Sequence, residues 1–163
     1  MTSFRSLAFA AAALALLVAP SAASARKNPY TPQRVCGAGY KVIDSHRLYD
    51  TRYSGAPLLA TVFLTYNGAT GKNCAVTIKR YRVGKTSKVY GDFMYVEIAT
   101  RPLNNANTDT DHGNFRYFAG PSYVSARGKC VRWGGGATLL VPARFTPRGY
   151  YESAFRSRWS HCG

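Results

Sequence analysis

Hydrophobic and polar residues alternate with a period of two along most of the chain from residue 40 onward. This alternation is typical of β-strands with one face on a core, and beyond Gly55 a Gly or Pro interrupts nearly every segment before it could form a three-turn helix. The pattern predicts strands at residues 40–49, 58–66, 74–83, 93–100, 114–119, 122–127, 130–133 and 137–142. Short strands with turn signals every 8 to 12 residues or so indicate an all-β domain, either an antiparallel sandwich or a barrel.

In two of these segments the pattern of apolar residues also indicates where the strand lies in the fold. Segment 58–66 is apolar on both faces, so we expect it to be a central strand. In segment 74–83 the side chains divide between two faces, Cys74, Val76 and Ile78 on one and Ala75, Thr77 and Lys79 on the other. This division predicts a sheet with one face exposed to water.

The last segment, 150–159, has helical spacing, because Tyr151, Phe155 and Trp159 lie at i, i+4 and i+8. The spacing predicts a short C-terminal helix. An extended tail held by Cys162 is the alternative.

Residues 1–25 have the pattern of a secretory signal peptide. Arg5 precedes an apolar run at residues 7–19, and small residues follow. The run is too short to span a bilayer, which takes about 20 apolar residues. We therefore expect a secreted, extracellular protein with no membrane span, consisting of a flexible basic arm at residues 26–35 and a single disulfide-bonded domain at residues 36–163.

The four cysteines of the sequence all lie within the predicted domain. An even number in an exported chain indicates two disulfides, and the absence of a Cys-x-x-Cys pair argues against a zinc site. Three pairings are open. A meander would bring Cys36 and Cys74 to the same end of a sheet, which favours joining these two and joining Cys130 to Cys162.

The stretch "NTDTDHGNFRYFAGP", residues 107–121, resembles a metal loop at first sight. Asn107, Asp109 and Asp111 match the first three oxygen positions of an EF-hand-type calcium loop. His112 stands where that loop needs glycine, and Phe118 stands where it needs glutamate. The EF-hand pattern therefore fails, and a looser calcium site remains as an alternative.

Acid–base chemistry has few candidate groups in this sequence. His46 with Asp44, His112 with its neighbouring aspartates, and Glu97 supply the residue types that a hydrolase of phosphodiesters such as a ribonuclease would need. No nucleophile or phosphate-loop motif accompanies them. We favour a non-enzymatic protein without a cofactor, and a cationic extracellular hydrolase using His46 or His112 is the alternative.

The chain is strongly basic, with 22 Lys and Arg against seven Asp and Glu and a formal net charge of +15 at pH 7. Such a surface attracts polyanions with a strength that falls as salt rises. The candidate anion-binding residues lie in one run and are Lys79, Arg80, Arg82, Lys85 and Lys88, with Tyr81 and Tyr90 close by. The alternative is an edge hairpin whose charges prevent aggregation between strands.

Aromatic residues at alternate positions fit either a carbohydrate platform or, more simply, core and cross-strand pairs. They are Tyr117, Phe118, Tyr123, Trp133, Tyr150 and Tyr151. We favour the second interpretation.

Several motifs together resemble the spore-associated protein A family, small exported proteins of filamentous actinobacteria found with the spore surface. They are "VCGAGYKVIDS" (35–45), "TVFLTYN" (61–67), "GKNCAVTIK" (71–79), "DHGNFRYFAGPSYV" (111–124), "GKCVRWGG" (128–135) and the terminal "HCG". The resemblance implies export, a disulfide-bonded domain and association with the spore or cell envelope. It implies no catalytic residues.

The family motifs also bear on the acidic stretch. They favour a polar loop at the aspartates that leads into a strand, with Phe115 and Tyr117 facing the core and Arg116 outward. For the whole chain we expect a secreted, non-enzymatic monomer on the spore or cell surface. Its partner would be anionic cell-wall or spore-surface polymer, with no specific nucleic acid.

Overall fold

Strands account for most of the part of the chain that the computed structural model describes, which is residues 28–80, 92–141 and 143–163. The strands are β1 (Lys41–Tyr49), β2 (Leu58–Asn67), β3 (Lys72–Lys79), β4 (Phe93–Thr100), β5 (Thr108–Asn114), β6 (Phe118–Ser125), β7 (Val131–Leu140) and β8 (Tyr150–Arg156). They form two antiparallel four-stranded sheets with the orders β1-β2-β3-β6 and β5-β4-β7-β8. The predicted all-β antiparallel fold is confirmed, and its two packed layers make it a sandwich.

The main core lies between the two sheets. Val62 and Leu64 of β2 point into it from the first sheet, and Val96, Ile98 and Trp133 point into it from the second, all nearly inaccessible to solvent. Alternation places these residues on one face of each strand. Their burial stabilises the fold by roughly 25 cal/mol per Å² of apolar area removed from water. The strand β2 lies between β1 and β3, which confirms segment 58–66 as a central strand.

A second apolar cluster covers the outer face of the first sheet. Its buried members are Cys36, Cys74, Val76 and Ile78. The short helix α1 (Pro32–Cys36) lies over this face, with Thr31 as its N-cap and Pro32 in its first turn. A proline is favourable there because the first amides of a helix have no partner to donate to.

The segment that we expected to be a flexible arm, residues 26–35, packs against the domain from Asn28 onward. The Asn28 side-chain amide donates to the carbonyl oxygens of Lys79 at 3.1 Å and Tyr117 at 2.8 Å. The segment is held in place because it covers the apolar outer face of the first sheet. The sequence of residues 26–35 alone does not indicate this packing. The predicted signal peptide, residues 1–25, lies outside the described residues.

The second face of β3 is not exposed to water, contrary to the sequence-based expectation. Thr77 and Lys79 on this face point toward the opposite sheet and are both buried. The Thr77 hydroxyl donates to the Tyr95 carbonyl at 2.8 Å, and the Lys79 ammonium lies 3.2 Å from an Asp92 carboxylate oxygen. Polar residues with partners inside the sandwich produce the same sequence pattern as residues in solvent.

Strand β7 is continuous where the sequence predicted two short strands, because Gly134, Gly135 and Gly136 lie inside it. A Cβ at Gly135 would lie 2.1 Å from Thr77 Oγ1 and 2.8 Å from the Tyr95 carbonyl oxygen. The glycine therefore allows the two sheets to approach each other closely at this point.

The C-terminal helix predicted for residues 150–159 is wrong, since most of the segment forms strand β8. Tyr151 and Phe155 are four residues apart, and an even separation also places two residues on the same face of a strand. Both pack against the main core. Pairing with the edge of β7 selects the strand over the helix. The local sequence of the segment does not indicate this choice.

The structure joins Cys36 to Cys74 and Cys130 to Cys162, the pairing favoured by the meander argument. The first disulfide attaches α1 to β3, and the second attaches the C-terminal end of the chain to the residue before β7. Among the described residues, no helix has the length and apolar character needed to cross a membrane.

Candidate functional site

The acidic stretch that resembles a metal loop is strand β5 itself and not a loop that leads into a strand. Its carboxylates act as hydrogen-bond acceptors between the two sheets. Asp109 Oδ2 accepts from the Tyr123 amide and Asp111 Oδ2 accepts from the Gly120 amide, each at 2.7 Å. Both donors belong to β6, the edge strand of the first sheet. The two aspartates therefore satisfy edge amides that would otherwise lack a partner within the sheet.

Asp50 has the same role at the other side of the sandwich. Its Oδ2 accepts a hydrogen bond from the Glu152 amide of β8 at 2.9 Å. The Arg52 guanidinium donates to both carboxylate oxygens of Asp50, at 2.6 Å to Oδ2 and at 2.8 Å to Oδ1. The carboxyl group is almost inaccessible to solvent. The hydrogen bonds from Arg52 hold the pKa of Asp50 well below its usual range.

The remaining acidic residues also have internal partners. Asp92 lies beside Lys79, Glu97 receives two hydrogen bonds from Arg156, and Glu152 receives one from Arg52. Asp44 accepts from the Ser45 amide at 2.7 Å, and its other oxygen lies 3.5 Å from His161 Nε2. All seven acidic residues of the sequence lie in the described ranges, and each has a cation or a backbone amide as its partner.

The structure does not assemble the predicted acid–base clusters within the described residues. His46 stacks on Phe155 with ring centroids 3.9 Å apart, and no ion pair joins it to Asp44. His112 is exposed on the outer side of β5, whereas Asp109 and Asp111 point inward. Glu97 is paired with Arg156 on another strand. Among the described residues, no three His, Cys, Asp or Glu side chains come together as metal ligands.

Only part of the candidate anion-binding run lies among the described residues. Arg82, Lys85 and Lys88 lie outside the described residues. Lys79 is 6% exposed and is paired with Asp92, so it is a core residue and does not contribute to a basic surface. Burial lowers the pKa of Lys79, although Asp92 acts in the opposite direction. Arg80 is exposed.

Many other cations point to solvent. Within the described residues, exposed cations that make no ion pair with a carboxylate occur on both sheets and in the loops, and they are Arg34, Lys41, Arg47, Lys72, Arg101, Arg116, Arg127, Lys129, Arg144 and Arg158. The acidic side chains all have partners within the protein, whereas most of the described basic side chains other than Lys79 are exposed. The described part of the chain therefore presents a predominantly positive surface.

One part of this surface combines cations with an aromatic ring. The Arg101 guanidinium carbon lies 5.0 Å from the centroid of the Trp159 indole, and that of Arg132 lies 5.1 Å from the same centroid. The three residues lie at the end of the second sheet, after β4, near the start of β7 and after β8. Guanidinium groups held against an indole retain their outward hydrogen-bond donors. Sequence reasoning missed this cluster, because its members are about 30 residues apart and form no local motif.

The aromatic residues considered as a carbohydrate platform are mostly structural. Trp133 is buried in the main core, and Tyr151 packs against it. Tyr123 donates its hydroxyl to the Cys36 carbonyl at 2.9 Å, and Phe118 contacts Tyr30 in the second cluster. These contacts agree with the interpretation as core and cross-strand pairs.

Comparison with known proteins gives one informative match. The chain is 40% identical over 121 residues to spore-associated protein A of Streptomyces coelicolor, and the alignment covers 74% of this chain and 68% of that protein. No protein-family model matches the chain. No solved structure matches it either.

Proposed function

The chain belongs to the spore-associated protein A family, and we propose that it is an exported, non-enzymatic protein of the spore or cell surface. Anionic polymer of the envelope holds it there through the positive surface charge. The name of the Streptomyces coelicolor relative supports the location, and the distribution of charge supports the means of attachment.

This proposal rests on a difference between where the acidic and the basic side chains lie. Every acidic side chain has an internal partner, whereas most cations outside the buried Lys79 are exposed. A polyanion approaching the domain therefore encounters cations on many sides and few accessible carboxylates. Association of this type releases the counterions of the polymer and weakens as salt rises.

The cluster of Arg101, Arg132 and Trp159 is the best-defined contact for such a polymer in the described residues. Neither arginine makes an ion pair there, so both guanidinium groups are available to bind phosphate or carboxylate oxygens in a bidentate manner. The run that includes Arg82, Lys85 and Lys88 supplies a second candidate contact.

Binding to an immobilised wall polymer with a phosphodiester backbone tests the proposal. We expect the wild-type affinity to fall linearly with salt on logarithmic axes, and the slope to decrease by about one for each contacting arginine removed. The double variant Arg101→Gln/Arg132→Gln should show this decrease, and Arg82→Gln/Lys85→Gln/Lys88→Gln tests the second contact.

The matched control is Arg148→Gln/Arg156→Gln, which removes two positive charges whose partners are Glu152 and Glu97. Its net charge equals that of the first double variant. If attachment depends on unpaired cations, the control loses less affinity than Arg101→Gln/Arg132→Gln. Binding that does not change with salt would overturn the proposal, and equal losses in the two variants would reject the cluster as the contact.

A further inference from the structure

A cleft of about 490 Å³ lies on the outer face of the second sheet. Tyr49 at the end of β1 and Arg52 in the segment that follows form one wall, and outward residues of β4, β7 and β8 form the floor and the other wall. Its volume falls within the range of about 300–1,000 Å³ that is typical of small-molecule sites.

The floor of the cleft is an aromatic ring lying over a glycine. Tyr95 of β4 is paired with Gly136 of β7, and a Cβ at Gly136 would lie 2.3 Å from Tyr95 Cε1. The absence of a side chain thus lets the ring lie against the neighbouring backbone, where it forms a flat surface. Phe93 and Tyr49, which are 43% and 40% exposed, add two further rings to the lining.

The polar wall of the cleft is held rigidly. Arg52 donates to both Asp50 oxygens and, at 2.9 Å, to Glu152 Oε1, while the Glu152 amide donates to Asp50. The Glu152 side chain is 47% exposed, and its second oxygen makes no hydrogen bond within the described residues. This oxygen and the hydroxyl of Thr138, which lies beside Glu152 on the outer face, are placed to hydrogen-bond a ligand without reorganisation.

The charge of the cleft differs from that of the rest of the surface. Two carboxylates, Asp50 and Glu152, face a single guanidinium in the lining, and that guanidinium is already paired with both. Among the described residues that line the cleft, no unpaired cation is available to a polyanion. A wholly apolar ligand would remove these charged groups from water without offering hydrogen bonds in return.

We propose that this cleft binds an uncharged saccharide, with a pyranose ring lying on Tyr95 and Phe93. A sugar ring presents an apolar C–H face, which suits the aromatic floor, and hydroxyl groups at its rim, which suit Glu152 and Thr138. The site is separate from the exposed cations that attach the protein to anionic polymer. The protein would thus contact two chemically different components of an envelope.

Calorimetric titration with three uncharged tetrasaccharides tests the inference, namely those of β-1,4-linked N-acetylglucosamine, β-1,4-linked glucose and α-1,4-linked glucose. We expect at least one of them to bind saturably, with an affinity that is the same at low and high salt. Phe93→Ser should weaken that binding about fivefold, because one ring contact contributes of the order of 1 kcal/mol. Tyr95→Ala should weaken it further.

Leu103→Ser is the control, since Leu103 is 55% exposed and lies beyond the opposite end of β4. It should leave saccharide binding unchanged. Phe93 is exposed, so its substitution decides the outcome even if Tyr95→Ala fails to fold. The absence of saturable binding for all three sugars up to about 10 mM, or full binding by Phe93→Ser, would overturn the inference. Neither result affects the salt-dependent binding of the anionic polymer, so the two proposals fail independently.

Discussion

At the residue scale, the aspartates of this protein are structural acceptors. Asp109 and Asp111 accept from amides of β6, and Asp50 accepts from an amide of β8. Each of these strands is an edge strand of its sheet. The closely spaced acids that suggest a calcium or catalytic site therefore join the two sheets, and the carboxylates of β5 point away from the His112 side of the strand.

Replacing Asp111 tests this role. Asp111→Ala leaves the Gly120 amide of β6 without its acceptor, and we expect the free energy of unfolding to fall by about 1–2 kcal/mol. Asp111→Asn retains an oxygen that can accept and should lose less. Urea denaturation followed by circular dichroism measures both variants. Equal stability of Asp111→Ala and the wild type would show that the hydrogen bond between the sheets contributes nothing.

At the element scale, the sequence predicts most accurately the bounds of strands in which apolar and polar residues clearly alternate. The predicted bounds 93–100 coincide with β4, and those of β1 and β2 differ from the structure by a single residue. The strand β5 was missed because its residues are polar throughout and give no hydrophobic signal. Its pairing with β4, and the acceptors it provides to β6, come from distant parts of the chain.

The strand β7 was divided in the prediction because glycine ordinarily weakens a strand. Here the glycines lie where backbone and side chains of other strands approach closely, and this requirement is visible only in three dimensions. The prediction of a C-terminal helix was wrong because the i and i+4 separation of Tyr151 and Phe155 fits one face of a strand as well as one face of a helix.

Gly135→Ala tests the close approach of the two sheets. The added methyl group would meet Thr77 Oγ1 and the Tyr95 backbone, so the sheets must separate or Thr77 must turn away from its acceptor. We expect a loss of about 1–3 kcal/mol in thermal or urea unfolding. Gly68→Ala is the control, because the nearest atom to its Cβ is 3.9 Å away. A variant at Gly135 as stable as the control would contradict the packing described for β7.

At the scale of the whole molecule, the sequence predicted the positive charge but not its arrangement. Lys79 belongs to the run selected as an anion-binding candidate, yet it is a buried residue paired with Asp92. Conversely, Arg101, Arg132 and Trp159 come together from three parts of the chain and could not be recognised as a group. The cleft is equally non-local, since its lining combines the segment after β1 with three strands of the other sheet.

Attachment to the spore or cell envelope through positive charge is the main proposal made for this protein. Fractionation of a sporulating culture of the producing strain tests it directly, with the protein quantified in the medium, in the washed spore and cell material, and in a salt eluate. We expect the protein to be on the spore and envelope material at low salt and to be released at about 1 M salt, where charge interactions are screened within about 3 Å. Protein found free in low-salt medium, or retained through the salt wash, would contradict it.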